Sequence, residues 1–238
     1  MFMKRINYQI KSIIHKNISI TVKIKKNKYS RSYKVTYDKK NLQGLVSIPK
    51  YIDFKSGFKF AEENIGWIYS QHIEMFPPII IAEGNTIQLY GKVRNFIFKE
   101  DKKNLVSIEN NNIIVSSKNK LKFTSVFFNW IKEEIIKETK SIAIIHFNNK
   151  VINKIRISNS FSYWGACNTK DSISVDWRLI FAPREVMTYI IVHELCHLTE
   201  FNHSKKFWNL VDSKFANKEK GQLWLKENAN YLYRIRFF

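Results

Sequence analysis

The chain has little cysteine and no long apolar run. Cys167 and Cys196 are its only cysteines, too few for the disulfide framework that small secreted domains use. No segment approaches the roughly 18 to 20 apolar residues that cross a membrane, and the basic residues 1–20 contain no apolar stretch long enough for a signal peptide. We therefore expect a cytoplasmic protein whose thiols stay reduced, with Cys196 acting as a small apolar side chain.

Acidic residues are also scarce. The chain has 20 Asp and Glu against 40 Lys and Arg, which gives a formal net charge of +20. Lysines outnumber arginines 32 to 8 and lie along the whole chain. Composition bias alone can produce such an excess of lysine. Proteins that attract nucleic acid, nucleotides or anionic membranes also have one. The sequence leaves both interpretations open and carries no signal for an oligomeric state.

Hydrophobic periodicity divides the chain near residue 118. Period-two alternation over 18–48 predicts an antiparallel strand meander, and helical spacing predicts a helix over 54–75. Short apolar runs within 87–116 predict further strands. We therefore expect a small antiparallel β-rich half over residues 1–117.

The second half, residues 118–238, has the pattern of an α+β domain. Its predicted helices are 121–147, 184–201, 204–215 and 218–233, and its predicted strands are 151–157 and 172–175. A chain of 238 residues is long enough for two small domains. The predicted fold class is thus α+β, with most of the helices in the second half.

The most informative motif is His-Glu-Leu-Cys-His at 193–197. On a helix, His193 and His197 lie one turn apart on the same face, so both imidazoles can bind one metal ion. Glu194 lies about 100° round the helix, where its carboxylate can take a proton from water. This HExxH pattern is typical of zinc hydrolases.

The residues around the motif favour a metal site over a surface helix with two exposed histidines. Apolar side chains lie nearly all round the predicted helix, which is typical of a buried helix. Two imidazoles and a carboxylate are costly to bury unless they are paired or bind a metal. A metal-binding helix is therefore the better interpretation.

His203 is the expected third ligand. It follows His193 by ten residues, about 15 Å further along if the helix continued, so the chain must turn back. Asn202 tolerates the left-handed conformation that ends helices, and Ser204 is a suitable N-cap for the next helix. The spacing equals that of the metzincins, although Glu200 stands where they have glycine. We therefore expect the three histidines to bind one Zn²⁺ per chain through a different turn.

Several further motifs occur in a fixed order around HExxH. They are Trp-Gly-Ala-Cys at 164–167, Asp-Trp-Arg-Leu at 176–179, Ala-Pro at 182–183, Asn-His-Ser at 202–204 and Phe-Trp at 207–208. Together these motifs resemble the YgjP-like metallopeptidase domain, also known as DUF45 or as an M48-type metallopeptidase. The N-terminal portion resembles the family's small β-rich lead-in more loosely. The resemblance implies a zincin-like metallopeptidase domain in the second half.

Three positions depart from the family's usual pattern. The family usually has arginine where this chain has Tyr163, asparagine where it has Asp176, and often a small residue where it has Cys196. The first departure removes a cation that could bind an anionic substrate. Tyr163 and Arg178 are chemically suitable donors, and we name them as candidate stabilisers of the transition state.

The motif and the resemblance together predict a zinc metallopeptidase. Three neutral imidazoles leave the fourth zinc position open, the mark of a catalytic site. A zinc-activated water then attacks the peptide carbonyl, while Glu194 serves as general base and passes the proton to the leaving amine. Zincins commonly place an edge strand beside the zinc helix for an extended peptide substrate, and we expect residues 173–175 to be that edge.

Three other functions fit the same residues. A zinc hydrolase of nucleotides or phosphoanhydrides would use the charge of +20 to attract its substrate. A nucleic-acid-associated protease similar to the SprT-like proteins shares HExxH, although those proteins have a longer interval before the third histidine. A basic binding module with a structural metal has no need of Glu194. If the lysine excess is functional, we also expect non-specific binding of nucleic acid.

Overall fold

The computed structural model describes residues 7–147 and 152–237. Its strands are β1 (Tyr8–His15), β2 (Ile18–Asn27), β3 (Lys34–Asp38), β4 (Gln43–Pro49), β5 (Ile79–Ile80), β6 (Thr86–Leu89), β7 (Lys92–Glu100), β8 (Leu105–Glu109), β9 (Asn112–Ser117), β10 (Lys154–Ser158), β11 (Gly165–Cys167), β12 (Ser172–Asp176) and β13 (Ile235–Arg236). Its helices are α1 (Phe54–Glu63), α2 (Ile65–Met75), α3 (Phe123–Phe147), α4 (Arg184–Cys196), α5 (Lys205–Lys214) and α6 (Lys218–Arg234). The chain forms two compact units, Met1–Pro78 and Ile79–Phe238.

The first unit is a four-stranded sheet with two helices on one face. The strand order is β1-β2-β4-β3. Along β2, Ile20, Val22 and Ile24 are fully buried, because alternate side chains of a strand point to the covered face. Helix α1 approaches the sheet closely, since a Cβ on Gly57 would lie only 2.7 Å from Cγ2 of Ile24. The apolar alternation in the sequence thus sets which face of this sheet is buried.

The helix expected over 54–75 is two helices that meet at Asn64. Asn64 is the C-cap of α1 and the N-cap of α2. Its side-chain amide donates a hydrogen bond of 2.8 Å to the carbonyl of Phe60. Asparagine side chains compete in this way with the helical backbone pattern. One polar residue therefore interrupts an apolar periodicity that otherwise continues.

The second unit surrounds helix α4 with sheets and helices. Its sheets have the orders β6-β7-β9-β8, β10-β12-β11 and β13-β5. Helices α3, α5 and α6 pack against α4. Met187, Ile191 and Leu195 of α4 are fully buried, as the apolar circumference of this helix predicts. In the part of the chain that the structure describes, no helix is long and apolar enough to cross a membrane.

The expectation of purely antiparallel strands is wrong in both four-stranded sheets. Strand β2 pairs with β4 in parallel, with Ile24 opposite Val46. Strand β7 pairs with β9 in parallel, with Phe96 opposite Ile113. Both sheets share one topology, in which the fourth strand lies between the second and the third. Side chains alternate with period two in parallel and in antiparallel sheets alike, so the sequence pattern did not distinguish parallel from antiparallel pairing.

The two compact units divide at residue 78, whereas the sequence suggested a boundary at 117. Strands β6 to β9 belong to the second unit, where their sheet packs on α3. The rings of Phe96 in β7 and Phe127 in α3 lie 4.9 Å apart, edge to face. The hydrophobic periodicity of the sequence changes after β9, but the strands before that point and the helices after it share one hydrophobic core. Helices and strands are nevertheless mixed along the chain, as expected of an α+β protein.

Candidate active site

Helix α4 carries the HExxH motif at its C-terminal end. His193 and Glu194 lie in its last turn, and His197 is the C-cap residue. The backbone N–H of His197 still donates to the carbonyl of His193, at 3.4 Å. This helical hydrogen bond keeps the two imidazoles one turn apart on the same face, as the motif predicts.

The chain turns back directly after His197. The helix was expected to reach residue 201, but it ends at Cys196, and Thr199 and Glu200 both donate backbone hydrogen bonds of 2.9 Å to the carbonyl of Cys196. Asn202 does not have the positive φ that we expected of a helix terminator. Ser204 does cap α5, since its side chain accepts from the N–H of Phe207. The turn brings His203 back to the other two histidines.

The three histidines converge through their Nε2 atoms. Nε2 of His203 lies 3.0 Å from Nε2 of His193 and 3.1 Å from Nε2 of His197. In a tetrahedral site with Zn–N bonds of roughly 2.0 Å, ligand nitrogens lie about 3.3 Å apart. In a neutral imidazole Nε2 is either a donor or an acceptor, so hydrogen bonds can pair these three atoms only in part, whereas all three Nε2 lone pairs can face one metal ion. Among the described residues, these three could together hold a metal ion.

The protonation states of the triad suit metal binding. Nδ1 of His197 lies 3.0 Å from the carbonyl of Glu200, so Nδ1–H donates there and Nε2 keeps its lone pair for a metal. Burial and the neighbouring imidazoles of His197 and His203 lower the pKa of His193 to about 4. His193 is therefore neutral at neutral pH, which is the form of histidine that binds metals.

The ring of Phe207 packs against all three imidazoles. Its ring centroid lies 4.9 Å from that of His193, 4.4 Å from that of His197 and 4.8 Å from that of His203. Phe207 is fully buried in α5, so the triad lies against an apolar side chain of the core. Its apolar spacing in the sequence indicated only a core position.

Glu194 lies beside the triad in a tight space. It is 5% exposed, and burial raises its pKa to about 8. A Cβ on Gly165 of β11 would lie 2.6 Å from both Cγ and Oε1 of Glu194. Gly165 is therefore needed so that the carboxyl group fits against the strand. The sequence placed Gly165 within a family motif but gave it no role, although a glycine inside a strand often marks such a close approach.

We predict that Gly165→Ala retains its metal but loses roughly a hundredfold in turnover, because the new methyl group displaces the Glu194 carboxyl group. Gly66→Ala is the matched control, since a Cβ there meets nothing within 4 Å. Steady-state rates and metal content of the two variants check the prediction. If Gly165→Ala is as active as the parent protein, the close approach has no part in placing Glu194.

A cleft of about 310 Å³ opens over the triad. It is lined by Gly165, Ala166 and Cys167 of β11, by the three histidines, and by Glu194 and Phe201. The strand expected to form its edge, residues 173–175, is wrong for that role, because β12 is the central strand and pairs with both β10 and β11. Strands β10 and β11 are the edge strands of this sheet, and β11 lines the cleft.

Tyr163 and Arg178 are not among the residues that line this cleft. Tyr163 is 47% exposed. Arg178 is 1% exposed and its guanidinium donates to the fully buried Asp176 at 3.0 Å. The structure therefore brings Glu194 and the triad together, and it places these two candidate stabilisers elsewhere.

The Asp176–Arg178 pair instead forms hydrogen bonds with the segment before β11. Asp176 accepts a hydrogen bond of 2.9 Å from the N–H of Ser160, and Arg178 donates to the carbonyl of the same residue at 3.2 Å. Burial raises the pKa of Asp176, and the adjacent guanidinium opposes that shift. The guanidinium also stacks over Phe161, 4.3 Å from the ring centroid. This network fixes how the chain enters the strand that lines the cleft.

Comparisons with known proteins agree with the motifs. The model of the YgjP-like metallopeptidase domain matches residues 13–228. A solved structure, the crystal structure of the metallopeptidase zymogen of Pyrococcus abyssi abylysin, is 24% identical over 40% of this chain and 92% of that chain, with a TM-score of 0.30. No curated protein matches the chain.

The family match includes residues of both compact units and every residue of the histidine cluster. It also includes Gly165 and Phe207, which the structure places against Glu194 and the triad. On this match, the chain belongs to the YgjP-like metallopeptidase domain family.

Proposed function

We propose that the protein is a zinc-dependent metallopeptidase with a zincin-like catalytic unit. The observation that carries the proposal is the convergence of three Nε2 atoms beside a buried glutamate, at the edge of a sheet. His193, His197 and His203 would hold the zinc ion. An all-imidazole set with an open position suits zinc and fits a catalytic site better than a structural one.

When bound, zinc supplies Lewis acidity: it polarises a carbonyl oxygen, and its charge lowers the pKa of water and of Glu194. Glu194 then takes a proton from the attacking water and delivers it to the leaving amine. Phe207 and the turn at Glu200 hold the imidazoles in place. Burial of Glu194 excludes bulk water from this proton transfer.

Strand β11 is suited to bind the peptide. As an edge strand, its backbone can pair with an extended substrate chain, while the cleft receives a side chain near the scissile bond. Pairing through the backbone recognises a polypeptide without requiring a particular sequence. This contact aligns the scissile carbonyl with Glu194.

The charge of the cleft favours a peptide over a nucleotide substrate. None of the described residues that line it is lysine or arginine, whereas enzymes that transfer phosphoryl groups surround the phosphates with cations. Arg178 is engaged with Asp176 and does not supply one. The decisive assay incubates zinc-loaded protein with denatured casein and, separately, with nucleoside triphosphates. Release of phosphate without cleavage of casein would overturn the proposal.

We predict that His203→Ala loses most of its zinc, because two imidazoles alone seldom retain the ion at a catalytic site. Elemental analysis of the purified variant measures this directly. His146→Ala, which changes a histidine of α3 outside the cluster, should keep one zinc ion per chain. Full zinc content in His203→Ala would show that another group, such as the carboxylate of Glu200, is the third ligand.

A further inference from the structure

A second cleft, of about 870 Å³, lies within the first compact unit. One wall is the edge strand β1, which contributes Gln9 and Lys11, and the other is helix α1, which contributes Lys55, Lys59 and Glu62. This basic cleft is separate from the histidine cluster, which belongs to the second unit.

The cleft lies where the apolar pattern of the sheet breaks off. Ile13 of β1 packs against the core of the first unit, and side chains two and four residues earlier point to the same face. Those positions hold Lys11 and Gln9 instead of apolar residues. The core is therefore replaced at this end by an open, polar space between strand and helix.

The charge of the cleft is positive and poorly neutralised. Glu62 is the one acidic residue among the described residues that line it, and it lies 3.6 Å from Nζ of Lys11, with both side chains more than half exposed. Exposed pairs of this kind are weak. Among the residues that the structure describes, Lys55 and Lys59 form no ion pair. The unit around the cleft has 15 basic and five acidic residues, a formal net charge of +10.

An aromatic side chain accompanies these lysines. Phe58 lines the cleft, and Nζ of Lys11 lies 5.8 Å from its ring centroid. Proteins that bind single strands without sequence preference combine a positively charged groove with aromatic rings on which bases stack. A cleft between one strand and one helix admits a single chain of nucleotides, whose bases can stack on Phe58, whereas the bases of a duplex are already paired.

We propose that the basic cleft between β1 and α1 binds single-stranded nucleic acid. Lys11, Lys55 and Lys59 contact successive phosphates, and Phe58 stacks on a base. Because these contacts involve phosphates and a base face, binding does not depend on sequence. This activity is independent of the metal centre.

The test measures fluorescence anisotropy of a labelled oligothymidine of about 16 nucleotides, the upper site size of single-strand binding folds. The full-length protein is titrated at about 50 and 200 mM salt. The triple variant Lys11→Ser, Lys55→Ser, Lys59→Ser should lose at least about tenfold in affinity, and the salt slope should fall by about 2, since each phosphate contact contributes roughly 0.7. Phe58→Leu, which keeps an apolar side chain against the core, should lose about fivefold or more.

The control variant Lys102→Ser, Lys103→Ser, Lys140→Ser removes the same charge from exposed positions of the second unit. It should bind nearly as the parent protein does, and thermal melting should show that all variants are folded. Equal losses in the two triple variants would mean that net charge alone attracts the strand, and the cleft proposal fails. It also fails if the parent does not bind at low salt, or if a duplex or a vesicle of anionic lipid competes as strongly as the single strand.

Discussion

Glu194→Gln should retain its zinc and its fold and lose at least about a hundredfold in turnover on the peptide substrate. A positioned general base contributes roughly a hundredfold to ten-thousandfold. Glutamine has nearly the same shape, so it fits beside Gly165, but its amide does not accept the proton of water. The effect should therefore appear in kcat, with little change in KM.

The measurement compares steady-state rates and zinc content of Glu194→Gln with those of Glu185→Gln. Glu185 lies in the same helix but is exposed in its first turn, so its substitution should leave both quantities unchanged. A Glu194→Gln protein with full activity would remove Glu194 from the mechanism. Loss of zinc from this variant would instead show that the carboxylate helps to hold the ion.

The second large effect concerns the stability of the catalytic unit. Arg178→Met should lower the free energy of unfolding by about 3–5 kcal/mol, because it leaves the fully buried Asp176 carboxylate without its charged partner. Methionine fills much of the volume of the arginine side chain, so the lost pairing and not a cavity should dominate. Urea unfolding in excess zinc measures the change.

Asp176→Asn and the double variant complete a double-mutant cycle. Asparagine keeps a side-chain oxygen that accepts from Arg178 and Ser160, so the single variant should lose less stability than Arg178→Met. The double variant, which has neither charge, should recover part of the loss. If Arg178→Met is as stable as the parent but loses activity with full zinc, Arg178 acts on the transition state, as the sequence first suggested.

The arrangement of the histidine cluster was largely predictable because it depends on local geometry. The spacing of His193 and His197 on one helical turn needs no information about the rest of the fold. The apolar residues around them indicated a buried helix, and α4 is buried. The place of His203 depends on a turn, and that turn begins at His197 instead of Asn202.

The local sequence pattern did not predict the roles of Gly165, Phe207 and Arg178. Gly165 matters because another element brings Glu194 within 2.6 Å of where its side chain would be. Phe207 appeared as one more apolar position of a helix, although its ring contacts all three imidazoles. Arg178 has the right chemistry for an oxyanion, but burial beside Asp176 commits it elsewhere.

The sequence by itself determined the secondary structure of most segments, the buried face of β2, the buried character of α4 and the residue types of the histidine cluster. These properties follow from side-chain periodicity and from residue types, which act over one or two turns of chain. The tertiary structure alone decided the parallel pairing of β2 with β4 and of β7 with β9, the division at residue 78, and the choice of β11 as the edge of the cleft. Strand order and direction depend on contacts between residues far apart in the chain, and a period of two is the same for every order.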